Sequence, residues 1–479
     1  MSSNRSKEIH LANRPTGFPD DTNFIVKEVD LTDPNTDEVL VKNLWMSVDP
    51  YMRGRMIDRK SYVPPFQIDQ VLEGGAIGIV EKSNSSNLNE GDYVMSNYGW
   101  REYFVTNENN LKVINPEFGP IQAYLGALGM PGLTAYAGLL EVGKLKDGEN
   151  VLVSAAAGAV GSVVCQIAKA KGCKVYGTSG SDEKCRWLEK ELGIDKAINY
   201  KKVDNLISEY RSQITDGIDV YFENVGGDHL EAAINILNVG GRIALCGMID
   251  QYNDEAVRSG PPNLMMLIMK NASMEGFIVS KYNHLQEQFL NDMKGWIDSG
   301  KLSWKETVVE GIDNAPKAFI NLFSGKNTGK MLVKYHKTKM SDLKIEDLIT
   351  DFEFFDNWED KYKYIIELGK NCPSLNENEK NNNNKVDGCA SQVWLITKKE
   401  KLNDKIILKF KGDSDALIVK GLVVILFSIF SEKSPDEIIK IDAFEKLRNL
   451  DLERNLTMQR SNGLSSMVKR IKEEAQKYI

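Results

Sequence analysis

The chain has no cysteine before Cys165, and His10 is its only histidine before His229. Its six cysteines (165, 173, 185, 246, 372 and 389) lack the dense spacing of a disulfide framework, so a reducing compartment is expected. A catalytic zinc held by Cys, His and carboxylate ligands finds too few of them in the N-terminal region, which predicts a metal-free mechanism there. No apolar run reaches the roughly 18 residues needed to span a bilayer. The nearest, Ala416 to Phe430, is short, contains Lys420 and reads as a buried helix. Positive charge is not in excess: 60 Lys and Arg against 68 Asp and Glu leave a formal net charge of −8. That balance argues against nucleic acid or an anionic membrane as partner. Met1-Ser2-Ser3-Asn4-Arg5-Ser6 lacks the apolar core of a secretion signal, so cytoplasm is the expected location.

What is present reads as several domains, because 479 residues are too many for one ordinary core. Residues 22 to 110 are strand-rich, with β-type runs at Val39–Leu44 and Gly75–Val80 between turn-formers such as Pro34-Asn35 and Glu90-Gly91-Asp92. From about residue 125 the period changes. Strand patterns at Asn150–Ser154, Cys173–Gly177, Val220–Phe222 and Arg242–Cys246 alternate with helical ones at Gly161–Lys171, after Ser181 and at Leu230–Leu237. That alternation predicts an α/β unit with a doubly wound parallel sheet. Tyr335-His336-Lys337-Thr338-Lys339 is a polar junction, and Met340-Ser341-Asp342 resembles a natural start, so the two halves could also act as separate products. Ile345, Leu348, Ile349 and Phe352 then fall at helical spacing and open a new domain. Asn376 to Lys385, with four consecutive asparagines, reads as a mobile loop. Ser434-Pro435-Asp436-Glu437 carries an N-cap, a first-turn proline and a capping box.

Ala155-Ala156-Ala157-Gly158-Ala159-Val160-Gly161, between the first such strand and its helix, is the dinucleotide fingerprint with Ala156 in place of the first glycine. Gly158 would admit the pyrophosphate and Gly161 the close helix, with the helix N-terminus facing the negative charge. The competing reading is a tight strand-to-helix turn. The second strand ends in Gly177-Thr178-Ser179-Gly180-Ser181, without the acidic residue that would hold a free ribose hydroxyl. Lys184 and Arg186 follow, which favours NADP over NAD unless both merely face solvent.

Ser47-Val48-Asp49-Pro50-Tyr51-Met52-Arg53, Gly129-Met130-Pro131-Gly132-Leu133-Thr134-Ala135-Tyr136, the fingerprint, Glu223-Asn224-Val225-Gly226-Gly227 and Asn327-Thr328-Gly329-Lys330 resemble the zinc-independent medium-chain reductases of the leukotriene/prostaglandin and 2-alkenal reductase family. The resemblance covers residues 8 to 335. It implies a GroES-like β-rich catalytic domain at 1–124 with a return segment at 311–337, and a Rossmann domain at 125–310. It also implies NADPH-dependent reduction of the C=C bond of α,β-unsaturated aldehydes and ketones, and it allows a homodimer through this part. Cofactor positions carry over to Ala156, Gly158, Ala159, Val160, Gly161, Lys184, Tyr200, Asn224 and Asn327. Tyr51 and Tyr252 become the hydroxyl donors to the substrate carbonyl, unless they only line the cleft. Gln251 to Pro262 departs from prostaglandin-reductase wording in carrying Asp254 and Glu255, which speaks against an eicosanoid. A quinone reductase is the alternative.

After a linker at 338–344, residues 345–479 resemble SufE, the α+β sulfur acceptor of iron–sulfur cluster assembly. Gly388-Cys389-Ala390-Ser391-Gln392-Val393-Trp394, Asp413-Ser414-Asp415-Ala416, Lys420-Gly421 and Arg460-Ser461-Asn462-Gly463-Leu464 carry that resemblance. It makes Cys389 a persulfide acceptor and a cysteine desulfurase the partner, with a non-relaying desulfurase adaptor as the alternative. Taken without the family, a cysteine before Val393-Trp394-Leu395 is more often a buried apolar residue. Asp387 would raise the thiol pKa, so activation would come from tertiary neighbours such as Arg460 or from the partner. Cys372 matches no motif.

Overall fold

The protein is seen in a computed structural model that describes residues 5–335, 343–353, 358–402 and 405–479. These fall into two compact units, divided between His336 and Lys337. The proposed start at Met340-Ser341-Asp342 and residues 336–342 of the junction lie outside the described residues.

The first unit opens with β1 (Arg5–Leu11), β2 (Phe24–Asp30), β3 (Glu38–Ser47), β4 (Ala76–Ser83), β5 (Tyr93–Ser96), β6 (Tyr103–Asn107) and β7 (Lys112–Val113). It continues with β8 (Asn150–Val153), β9 (Lys174–Ser179), β10 (Lys196–Asn199), β11 (Ile218–Glu223), β12 (Leu237–Leu245) and β13 (Ser273–Gly276). The chain then returns through β14 (Glu306–Glu310) and β15 (Lys330–Lys334). Strands β1 and β2 form an antiparallel ribbon; β14-β15-β3-β4-β5-β7, with β6 on β3, make a seven-stranded sheet. The return strands therefore enter this sheet from Glu306, earlier than the expected 311.

The second sheet, β10-β9-β8-β11-β12-β13, is parallel throughout. Its centre reads as unbroken apolar runs because both faces are covered. Val151 and Val153 pack into one core with the helix Gly161–Ala170, whereas Leu152 packs into the opposite core with Tyr210, Leu230 and Ile234. Strand order reverses between β8 and β11, which places a crevice at their carboxyl ends. Tyr335, expected in the polar junction, is instead buried, its N–H bonded to Leu44 O at 3.0 Å. A tyrosine is amphipathic, and here its ring completes the core beside β3.

In the second unit β16 (Val393–Leu402) and β17 (Lys405–Ser414) form an antiparallel ribbon against helices Ile345–Glu353, Trp358–Asn371, Leu417–Phe430 and Met458–Gln476. The helix Leu417–Phe430 is buried nearly all round. It can carry Lys420 because the ammonium pairs with Asp413 at 2.9 Å and donates to Ser374 Oγ at 2.9 Å. A Cβ at Gly421 would lie 1.9 Å from Ile365 O, so the neighbouring helix packs directly on its backbone. Ser434 closes the expected capping box with Glu437. The asparagine run, expected to be mobile, folds into successive turns. Asn384 Nδ2 donates to Glu379 O at 2.8 Å, Arg470 donates to Asn383 O at 2.8 Å, and Lys380 pairs with Asp413 at 3.3 Å. Asparagine side chains supply their own turn hydrogen bonds, which composition alone does not reveal. Among the described residues no helix is long and apolar enough to cross a membrane.

Candidate functional sites

A cleft of about 2040 Å³ in the first unit is lined by Tyr51, Ala157, Gly158, Ala159, Val160, Gly161, Lys184, Tyr200, Asn224, Tyr252 and Asn327. The sequence-derived residues thus converge on one cavity, except that Ala156 is buried behind the turn. Its methyl fits where the fingerprint usually has glycine because Gly177 on β9 has no side chain; a Cβ there would approach Ala156 Cβ to 2.7 Å. Ala155 adopts φ +46° to enter the turn, which closes with Gly158 N–H donating to Ala155 O at 2.9 Å. A Cβ on Gly161 would stand 2.5 Å from Ala155 O, so only glycine lets the helix start this close.

At one end of the cleft, a Cβ on Gly180 would fall 3.0 Å from Tyr200 Oη and 3.2 Å from Lys201 Cε. This bare backbone, a phenol and two lysines suit a phosphate monoester such as the 2′-phosphate of NADP. Lys184 donates to Gly325 O at 2.6 Å, and burial, then Lys201, hold its pKa below the ordinary lysine value. Lys201 was not singled out from sequence; its position after the third strand gives no signal without the fold. Arg186 departs from expectation, being exposed and outside the cleft lining. Two residues past Lys184 on a helix, it faces away. Asn224 and Asn327 hold backbone: Asn224 Nδ2 donates to Ser154 O at 2.7 Å, and Asn327 Nδ2 to Gly329 O at 2.9 Å. Gly329 N–H in turn donates to Ala157 O at 2.8 Å, joining the return segment to the fingerprint.

His229 lines the same end, its Nδ1 2.9 Å from Tyr210 Oη and its ring 4.9 Å from Tyr200. Burial lowers its pKa from 6.5 to about 4. The unfolded imidazole takes a proton near 6.5 while the folded one refuses it until about 4, so this contribution is whole above 6.5 and lost as pH falls. His229→Gln should therefore flatten the decline of the unfolding free energy, read from urea melts, between pH 7 and pH 4.5, by about 3 kcal/mol. Parallel declines would refute it.

At the other end stand Tyr51, Tyr252, Tyr62 and Cys246. Tyr51 begins the short helix Met52–Arg55; beside it Asp49 is buried in a pair with Lys330 at 3.1 Å. Burial, then Asp49, raises the Tyr51 phenol well above its ordinary range. Burial also raises Tyr252, whose oxygen accepts from Met248 N–H at 3.4 Å. Both hydroxyls stay protonated and can donate. The Cys246 thiol is pushed up to about 12 by burial, then by Glu223. Tyr62 lies in a loop with no periodic signal, which is why sequence missed it. Of the two acidic residues in Gln251–Pro262, Asp254 is neutralised within the segment by Arg258, which also pairs with Asp250 just before it. Among the described residues no cluster of three or more His, Cys, Asp or Glu is arranged to hold a metal.

In the second unit Cys389 is half-buried, whereas Cys372 is buried in the core. Gly388 takes φ +86°, and a Cβ there would meet Ser466 Oγ at 2.6 Å, so the turn requires glycine twice over. The loop is closed by Val386 N–H to Val393 O at 2.8 Å and Gln392 N–H to Asp415 Oδ1 at 3.0 Å. The thiol rests over the helix Met458–Gln476 and donates to Gly463 O at 3.5 Å. This accounts for the Asp413-Ser414-Asp415 and Asn462-Gly463 motifs: one holds the loop, the other seats it. Burial raises the thiol pKa, in place of the expected effect of Asp387. Arg460 lies over the Tyr362 ring at 5.3 Å, so its guanidinium is engaged there.

Protein-family models match three stretches: the N-terminal domain of oxidoreductase at 7–114, zinc-binding dehydrogenase at 159–294, and the SufE Fe-S metabolism associated domain at 346–475. YfmJ of Bacillus subtilis (strain 168), which bears the name of an NADP-dependent oxidoreductase, is 48% identical over 330 residues, covering 68% of this chain and 97% of its own. The NADP(+)-dependent 2-alkenal reductase of Nicotiana tabacum is 43% identical over 335 residues, covering 68% and 97%. The crystal structure of CurA from Vibrio vulnificus in complex with NADPH has a TM-score of 0.66 at 41% identity, covering 69% of this chain and all of that one. With the fingerprint cleft and the seated cysteine loop, these likenesses show that the chain belongs to the medium-chain NADP-dependent reductases and carries a SufE domain at its C-terminal end.

Proposed function

We propose that residues 5–335 reduce the C=C bond of α,β-unsaturated aldehydes and ketones with NADPH, without a metal, and that Cys389 accepts sulfur from a cysteine desulfurase. The observation that carries the first half is the pair of protonated hydroxyls, Tyr51 and Tyr252, in the cleft that holds the fingerprint. NADPH, when bound, supplies the hydride to the β-carbon of the substrate. The chain supplies the rest. Gly158, Gly161, Lys184 and Tyr200 line the part of the cleft that would hold the cofactor, and the two tyrosines donate hydrogen bonds to the carbonyl oxygen, where negative charge gathers. Tyr252 already accepts from Met248 N–H, which leaves its own proton for the substrate. Tyr252→Phe should cost roughly 2.7–4 kcal/mol of transition-state stabilisation, about a hundredfold or more in kcat, with NADPH affinity nearly unchanged. A chelator should leave the wild-type rate intact. Unaltered kcat in the variant, or loss of activity to chelation, would refute the reading.

In the second half, the Cys389 thiolate attacks the outer sulfur of the desulfurase persulfide. A new S–S bond forms, the old one breaks, and the desulfurase thiolate leaves as Cys389 becomes Cys-S-SH. The SufE match and the thiol's being only half-buried, where that of Cys372 is buried, support this assignment.

The first unit also suits a homodimer. Strand β13 is a sheet edge, and the helix before it, Met265–Met269, leaves Met265 67%, Ile268 82% and Met269 70% exposed. An open edge beside an apolar patch fits a second copy of itself. Light scattering should give twice 53.8 kDa, and Ile268→Asp with Met269→Asp should give one chain mass. A monomeric wild type would end this reading.

A further inference from the structure

The geometry points to Arg53 as the positioning residue that fixes Tyr252 against Tyr51, by holding the Tyr252 loop to the turn that carries Tyr51. This rests on the enone-reductase reading and deepens it. The two tyrosines belong to different halves of the unit. Tyr51 heads the turn Met52–Arg55, which is anchored by buried Met52 and Met56 and by Arg55 paired with Glu73 at 2.7 Å. Tyr252 sits on a loop leaving β12, and beyond it the chain is exposed, with Val257 fully so. Inside the loop, Arg258 grips Asp250 and Asp254, which sets its shape but does not tie it to the Tyr51 turn.

Arg53 supplies that tie. Its Nε donates to Asn253 Oδ1 at 3.0 Å and its Nη2 to Gly17 O at 2.7 Å. Asn253 is the residue after Tyr252, and Arg53 lies two residues after Tyr51. One guanidinium therefore spans 200 positions of sequence and three chain segments. Gly17 is drawn in as well, with space for a Cβ limited by Glu255 at 3.2 Å on the same loop.

The contact is costly. Arg53 is 2% exposed, Asn253 9%, and Nη1 finds no hydrogen-bond partner. A buried guanidinium with an unsatisfied donor is poor value for stability, since an apolar replacement of similar volume often does as well. What it offers is direction: a planar donor fork fixes the position of Asn253 in a way that packing does not. Arg53 is absent from the cleft lining, so it acts only through its neighbours. Hydroxyl donors must meet the carbonyl oxygen within a few tenths of an ångström, and a misplacement near 1 Å costs roughly a hundredfold.

The test uses the full chain and three variants: Arg53→Gln and Asn253→Leu, which break the tie, and Asn253→Asp, which keeps it. Breaking the tie should lower kcat for a conjugated enone by roughly tenfold to a hundredfold while NADPH affinity, read by fluorescence, stays within about twofold. Asn253→Asp keeps an acceptor for Nε and should restore most of the rate lost in Asn253→Leu. Hydrogen–deuterium exchange of peptides spanning 249–262 should quicken in Arg53→Gln and Asn253→Leu and not in Asn253→Asp. If exchange is unchanged, or kcat survives in both broken variants, the assignment is overturned. A wild type that oxidises NADPH with no enone defeats the functional reading instead, and the exchange measurement still decides the tie.

Discussion

Replacing Cys389 with serine should abolish persulfide acceptance and leave enone reduction unchanged. After incubation with a cysteine desulfurase and cysteine, mass spectrometry of the wild type should add 32 Da, roughly one sulfur, to the peptide carrying Cys389, as exchange at a thiol requires. The serine variant should add none there, and the desulfurase should lose its stimulation. The alternative acceptor in the same unit is Cys372, but its thiol is buried, its pKa is pushed up to about 11, and its sulfur faces Gly412 O at 3.7 Å. A thiolate forms less readily there and a partner persulfide cannot reach it. Cys389 also carries a raised pKa, and burial is the cause. Exposure of the loop on meeting the desulfurase would remove that cause, so transfer should be slow from generic persulfide donors and fast from the enzyme. Sulfur on Cys372, or full stimulation by the serine variant, would defeat the acceptor assignment. Undiminished enone reduction in Cys389→Ser is expected because that chemistry draws only on the first unit's cleft.

Much of this architecture was legible because local pattern and burial agree. The apolar runs at Asn150–Ser154 and Val220–Phe222 are central parallel strands, and both faces are buried. The fingerprint was readable despite Ala156, because its spacing sets the turn; that Gly177 makes room for Ala156 needed the neighbouring strand. What stayed hidden was what depends on distance in sequence. Lys201 joins Lys184 only once β10 lies beside β9. Arg53 meets Asn253 only once residues 200 positions apart are brought together, and Asp413 meets Lys420 only when a strand packs on a helix. The asparagine run misled for the opposite reason: its composition resembles a disordered tract, yet short side chains bonding to nearby backbone order it locally. Tyr335 misled through its neighbours, because the polar residues after it hid a ring that belongs to the core.

Lys184→Glu should remove most of the preference for NADPH over NADH. The second strand of the nucleotide fold ends at Ser179 without a carboxylate at its tip to hold a free ribose hydroxyl, and Asp182, three residues on, is engaged by Lys202 and Asn199; the bare backbone of Gly180 is bordered by Tyr200 and Lys201. Lys184 lines the same cleft, its pKa lowered by burial first and then by the neighbouring cation Lys201. A bound 2′-phosphate would neutralise both and raise that pKa again. Reversing the charge at Lys184 replaces a charge-assisted hydrogen bond with repulsion, so kcat/KM for NADPH should fall roughly a hundredfold while that for NADH changes little. Lys184→Gln separates the two contributions, because it deletes the cation without adding an anion and should lose roughly tenfold. It also tests the tie to Gly325 O, made at 2.6 Å, since an amide can still donate there. Lys201→Ala should show a smaller loss of the same sign, and raising salt should narrow every difference, as screening requires. Equal turnover with both cofactors in the unmodified chain would show that the 2′-phosphate is not recognised, and a Lys184→Glu variant that keeps its selectivity would show that it is recognised elsewhere.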